Sequence, residues 1–407
     1  MNEATWRYIC EHADDDVRQL ALQGSRDIEV DMGTALQQIQ GQQTARRKLP
    51  TWAAKMGILY PSHLSMEQCS SEQTARYKAH VLESLPAKER IVDLTGGFGV
   101  DFALMSESYA EAVYVEQQPE LFAIATHNFN LLKLRPTLKT ICADGVDYLH
   151  QLDHASLIFL DPARRDIRGS RTYGIGDCMP NVLLLMEELL AKADHVMLKL
   201  SPMLDWRKAV EDVGYKHVEQ VHIVSVGNEC KELLLVLSAT GCPQPRLYCV
   251  NDNNCDIFEI ESPAQTLPLK GIELFPDNLL PLKDGRGVAG FLYEPNASLM
   301  KAGLFDELAN RYGVVPLARN SHLFTSEERV ADFPGRTFQI TAVSSMNKRE
   351  LKEKVLPLQQ ANISVRNFPI SVAELRKRLK LSEGGSNYLF ATTLANGVHV
   401  LIICQHL

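Results

Sequence analysis

Long apolar runs are missing from this chain of 407 residues. The longest, near Val398–Ile403, has the length of a strand and falls well short of the roughly 20 residues that cross a bilayer. No membrane partner is expected. The start, Met1-Asn2-Glu3-Ala4, offers neither a basic nor an apolar leader, so a cytoplasmic location is expected. Cysteine occurs nine times but never as C-x-x-C, and Cys242, Cys249 and Cys255 lack the spacing of a zinc ribbon. Free thiols in a reducing compartment are the expectation, and no His, Asp or Glu set has metal-ligand spacing. Repeats and low-complexity tracts are also absent. A strong charge of one sign is lacking too. The net charge of −8 argues against wholesale coating of nucleic acid and leaves room for a local basic face. With 45% hydrophobic and 23% charged residues, the chain is an ordinary globular composition, long enough for two or three cores.

The stretch that organises the rest is Ile91-Val92-Asp93-Leu94-Thr95-Gly96-Gly97-Phe98-Gly99-Val100-Asp101-Phe102. Its apolar start reads as a buried parallel strand, and three glycines then turn the chain into a helix. Glycine there lets a ligand approach the backbone closely. The spacing misses G-x-G-x-x-G, which tilts against a dinucleotide site. From 90 to about 240 strands and helices alternate, predicting a parallel sheet covered on both faces. The strands end at Glu116, Asp144, Asp161 and Lys199, and open α/β sheets bind ligands at such ends. Gly227-Asn228 separates two apolar strands, predicting a hairpin whose last strand runs antiparallel. A dehydrogenase sheet would need a crossover helix here.

Before this domain, Trp6, Ile9, Cys10, Ala13, Val17 and Leu20 recur at helical spacing, and a basic patch follows at Arg46, Arg47, Lys48 and Lys55. After Pro243 come short strands among Asn, Pro and Gly clusters, then a helix from Ser298 to Tyr312. Residues 335–407 read β-α-β-α-β-β, with Ser371 and Glu374 as a capping box. The organisation expected is a helical region at 1–88, an α/β domain at 89–240, an α+β element at 241–333 and a last module at 334–407. Between Ser345 and Lys380 nine Lys or Arg face three acids, a local excess of positive charge. Val372, Leu375 and Leu379 are expected to form the core face of the second helix, with Lys377 and Lys380 pointing outward.

The pattern of Asp93, Thr95, Gly97 and Gly99 resembles the first motif of class I S-adenosylmethionine (SAM) methyltransferases. It is especially similar to the form in bacterial small-subunit rRNA guanine-N2 enzymes. Asp161-Pro162-Ala163-Arg164 resembles the D-P-P-R or D-P-P-Y motif after strand four of nucleic-acid methyltransferases. With Glu116 and Ala143-Asp144, the whole chain resembles a family of bacterial class I SAM-dependent methyltransferases. Its members have a helical N-terminus, a ferredoxin-like element and a C-terminal THUMP-like domain. The resemblance implies SAM as cofactor, held by Asp93, Thr95, Gly96, Gly97, Phe98, Gly99, Glu116 and Asp144. Glu116 would accept from the ribose hydroxyls and Asp144 from the adenine amine, although Asp144 also suits a helix N-cap. Asp161 and the Pro162 carbonyl would accept from a base amine, with Arg164 stacking on the base or clamping a phosphate. No cysteine stands beside Asp161 or Lys199, which disfavours covalent pyrimidine chemistry.

THUMP domains elsewhere present structured RNA, so the resemblance implies rRNA or tRNA as substrate; the local basic excess makes Lys377 and Lys380 expected contacts, and its place at the cleft mouth makes Lys199 one, with a dipole-complementing helix end and a solvated lysine as the alternatives. A small-molecule or protein methyltransferase, or a non-catalytic adaptor binding SAM and RNA, stays open at this point.

Overall fold

The computed structural model describes residues 1–25, 27–164, 174–261 and 290–407. Two compact units divide the chain. The first is residues 1–226, 231–248 and 258–260, and the second is 227–230, 249–257 and 261–407.

The first unit opens with helices Glu3–Glu11, Val17–Gln23 and Met32–Lys48. The single stripe expected from Trp6 to Leu20 is therefore two helices, with Cys10 exposed. The acid run Asp14-Asp15-Asp16 explains the break. Asp16 accepts from the Arg18 and Gln19 amides and starts a new helix, which competes with continuing the old one. Ile9, Leu20, Ala35 and Ile39 form a small core of their own.

Seven strands of this unit are β1 (Arg90–Asp93), β2 (Glu111–Val115), β3 (Thr137–Ile141), β4 (Ala155–Leu160), β5 (Ala193–Leu200), β6 (Val218–Val226) and β7 (Glu229–Leu237). They run in the order β6-β7-β5-β4-β1-β2-β3. The strands from β5 to β3 pair in parallel, and β7 pairs antiparallel with β5. Gly227 and Asn228 both take positive φ, at 57° and 60°, the backbone of a two-residue turn that follows strand twist. The reversal at β5-β4-β1 leaves the carboxyl ends of β1, β2 and β4 around one crevice. One core cluster joins Trp52, Tyr60 and Leu82 of the helical region to Phe98, Phe102, Tyr114 and Phe129 around the glycine turn. The helical region is thus packed on the turn itself.

His222 on β6 shows what such burial does to an ionisable group. Only 2% exposed, it faces the Tyr77 hydroxyl at 2.8 Å and Gln220 at 3.0 Å, with the Tyr248 ring stacked on it at 4.5 Å. Burial pushes its pKa down to about 3, so the folded state holds it neutral. A depressed histidine contributes stability above its unfolded value and loses it as pH falls. Each unit below pH ~6.5 should cost up to about 1.4 kcal/mol. Thermal melts from pH 7 to pH 5 should show this loss, and His222→Gln should remove part of it. An unchanged pH dependence in that variant would assign the acid sensitivity elsewhere.

The second unit holds a seven-stranded sheet. Its order is Val315–Pro316, Phe324–Ser326, Phe291–Pro295, Gly335–Ser344, His399–His406, Asn387–Thr393, Asn362–Arg366. Because Phe291–Pro295 pairs along Gly335–Ser344, the segments before and after residue 335 share one sheet. Strand alternation sends Phe390 and Ile402 to one core, with Leu292 and Phe338. Ala391, Leu401 and Ile403 go to the other, under the helix Val372–Leu379.

Candidate functional site

The glycine turn is built by close approaches that only hydrogen atoms fit. A Cβ on Gly96 would lie 2.2 Å from the Tyr114 ring, and one on Gly99 2.4 Å from the Phe129 ring. At Gly97, with φ +57°, a Cβ would meet nothing nearer than the Thr95 carbonyl oxygen at 3.8 Å. That side of the turn is open. Phe98 is buried, with its ring 5.1 Å from Trp52 in an edge-on contact.

Glu116, at the end of β2, is 6% exposed and holds the turn from below. Its two carboxylate oxygens accept from the Gly97 amide at 2.8 Å and the Gln118 amide at 2.7 Å. Each oxygen keeps a second lone pair, which is what a vicinal diol needs. Asp144 caps the helix Gly145–Gln151 through Oδ1, accepting from Val146 at 2.7 Å. Gly145 sits so close to the turn that a Cβ would fall 2.0 Å from the Leu94 carbonyl oxygen. The three strand ends therefore converge.

Thr95 links this turn to the end of β4. Its hydroxyl oxygen accepts from the Asp161 amide at 2.7 Å, and it lies 3.4 Å from Asp93 Oδ1. A glycine here could not make that link. Asp93 is fully enclosed and accepts from the Thr95 amide at 2.9 Å. Burial holds its carboxyl well above the usual range, and Asp101, Asp161 and Glu116 push it further the same way. Glu116, Asp144 and Asp161 thus place carboxylates at three neighbouring strand ends. This set of acceptors fits SAM, whose ammonium and ribose hydroxyls donate and whose sulfonium is cationic.

Asp161 itself is 40% exposed through its side chain, and Pro162 is buried behind it. Lys199 on β5 does not extend into solvent as expected of a substrate contact. Its ammonium is 2.5 Å from Asp161 Oδ2 and 3.4 Å from Asp101 Oδ2. Asp101 in turn accepts from Ser70 Oγ at 2.7 Å and pairs with Lys78 at 3.1 Å, while Lys78 reaches Glu232 at 2.6 Å. No motif or spacing in the sequence marks Ser70 or Glu232. For Lys78 a signal was available, since it stands at a core position between Ala75 and Leu82 of the helix Glu72–Glu83. Arg164 pairs by its backbone with Cys178, and its side chain lies outside the described part of the structure, as do residues 165–173.

In the second unit, Lys377 and Lys380 are exposed on and just after the helix Val372–Leu379. Leu375 and Leu379 are buried there, but Val372 is 37% exposed and not part of the core face. It lies in the first turn beside the Ser371 cap, where the helix has not yet closed on the sheet. Among the described residues no group of three His, Cys, Asp or Glu is placed to hold a metal ion. No helix among them is long and apolar enough to cross a membrane.

A THUMP domain-like family model matches residues 335–406, and a ferredoxin-like domain model matches residues 291–334. A crystal structure from Porphyromonas gingivalis W83, described as a candidate methyltransferase, is 33% identical and superposes with a TM-score of 0.83. The match covers 99% of this chain and 97% of that one. The chain belongs to this family of class I SAM-dependent methyltransferases. Other solved methyltransferases match only in part. A candidate class I SAM-dependent enzyme from Listeria monocytogenes has 12% identity, 62% and 94% coverage of the two chains, and a TM-score of 0.39. The tRNA (m1A58) methyltransferase TrmI from Aquifex aeolicus has 14%, 42% and 69%, and 0.31. Among curated proteins, none matches the methyltransferase.

Proposed function

We propose that the methyltransferase acts on a nitrogen of a base, exocyclic or in the ring, in structured RNA such as rRNA or tRNA. The observation that carries this reading is the Asp161 acceptor at the end of β4, tied through Thr95 to the turn that would hold SAM. When bound, SAM supplies an electrophilic methyl group on a sulfonium centre. Gly96, Gly97 and Gly99 would let the backbone close on the methionine portion, and Glu116 would hold the ribose. Asp144 would face the adenine. Asp161 and the Pro162 carbonyl would accept hydrogens from the base amine and aim its lone pair, so that the gain is one of positioning. Arg164 would stack on the base or take a phosphate. The similarity of residues 335–406 to a THUMP domain supports an RNA acceptor, as does the exposed basic helix end at Lys377 and Lys380.

Tritiated SAM offered with RNA, protein and small-molecule fractions of a bacterial lysate tests the substrate class. Label is expected in RNA. Label confined to protein or to small molecules would reject the RNA reading, and SAM binding with no transfer would favour an adaptor. If the basic helix holds RNA, Lys377→Glu with Lys380→Glu should weaken RNA binding about tenfold or more and flatten its salt dependence. SAM affinity and melting temperature should barely move, since both side chains are exposed. Unchanged RNA affinity and salt slope would reduce this face to charges that complement the helix dipole.

A further inference from the structure

Behind Asp161 lies a line of charges that leads into the helical region. Lys199 touches Asp161 and Asp101, at 2.5 and 3.4 Å. Asp101 rests on Ser70 and Lys78, at 2.7 and 3.1 Å. The Lys78 side chain is fully buried, and those of Asp101 and Lys199 are about one-tenth exposed. Only the Asp161 end, at 40%, is open to a ligand. Such an arrangement is poor value as a source of stability alone. Taking ions out of water costs several kcal/mol each, and apolar residues of similar volume often do as well. What the ions do provide is direction. A carboxylate at a half-exposed strand end would otherwise sample several rotamers, and an ammonium held on Oδ2 narrows that choice.

We propose that Lys199 is a positioning residue for methyl transfer, and that Ser70 and Lys78 extend its anchorage into the N-terminal helices. The proposal rests on the reading that Asp161 acts in the transfer step. Burial opposes the Lys199 charge, but Asp161 and Asp101 more than offset it and hold its pKa well above the usual lysine range, so it stays an ammonium. Lys78 and Lys199 likewise outweigh the effect of burial on Asp101 and keep it ionised. The role given to the helical region follows. It completes the support of the acceptor as well as covering the sheet.

The test uses the full chain and whichever lysate fraction the wild type labels from tritiated SAM. Lys199→Met should lower kcat about 100-fold, the scale of a misplaced catalytic group, with KM for the acceptor within about threefold. Calorimetric SAM affinity should also stay within about threefold. Lys199→Arg, which can span the same two carboxylates, should return kcat to within about tenfold of wild type. Ser70→Ala should lower kcat several-fold at an almost unchanged melting temperature. Wild-type kcat in a folded Lys199→Met variant overturns the proposal. So does a raised KM with kcat kept, which would make Lys199 a substrate contact. A folded Lys199→Arg with no recovery does the same. Should Lys199→Met fail to fold, Ser70→Ala decides alone, and unchanged kcat there counts against the proposal. If Asp161→Ala is inactive while Lys199→Met is active, only this inference fails. Full activity in Asp161→Ala removes the underlying reading and this inference with it.

Discussion

Asp161→Ala should reduce kcat about a thousandfold while leaving SAM affinity within a few-fold, the pattern of an interaction made in the transition state. The amide and the carboxylate of this residue make different contacts. Its amide, which the substitution keeps, holds Thr95 and so the glycine turn. Its carboxylate, which the substitution removes, is 40% exposed and pairs with Lys199. Loss of that carboxylate leaves Lys199 with Asp101 at 3.4 Å, so the ammonium is not stranded and the fold should survive. Asp161→Asn keeps one acceptor oxygen and should retain more activity than the alanine variant. Single-turnover transfer and calorimetry on the same preparations decide the matter. If cofactor affinity falls with kcat unchanged at saturation, Asp161 belongs to the SAM pocket.

The same region shows what a sequence reveals and what it hides. The turn, the polar strand ends and the antiparallel β7 were legible because each is local. Three glycines, an acid after four apolar residues and Gly227-Asn228 all act on the backbone within a few positions. Lys199 was not legible in this way. A lysine at a strand mouth looks like a hand held out to substrate, and the acids that claim it lie 38 and 98 residues away in the chain. Lys78 is hidden because its partner Glu232 is 154 residues distant, on a strand that meets the helix only after folding. The split of the first helix turned on which of three consecutive aspartates would cap, a competition that hydrophobic spacing does not register. Val372 fits the helical period but falls in the first turn, where periodicity says nothing about reach.

Gly97→Val should abolish measurable SAM binding in a folded protein, and the contrast with its neighbours makes the prediction specific. Gly96 and Gly99 abut the Tyr114 and Phe129 rings, at 2.2 and 2.4 Å from a Cβ, so alanine at either should unsettle the core. Gly97 points instead into open space. A Cβ there displaces no protein atom, and its fold cost is that of a positive φ of 57°, about 1–2 kcal/mol for an ordinary residue. A branched residue adds some strain to that. The melting temperature should therefore drop by several degrees without loss of cooperativity. The Gly97 amide also donates to Glu116 at 2.8 Å, so any shift of the turn moves the acid that would hold the ribose. Both effects act on the ligand side, and together they should weaken SAM binding at least 100-fold by calorimetry. Gly97→Ala should fall between, with a smaller side chain at the same φ. Unchanged SAM affinity in a folded Gly97→Val protein would place the cofactor elsewhere than this turn. A protein that unfolds with Gly97→Ala but tolerates Gly96→Ala would reverse the assignment of which glycine faces the ligand.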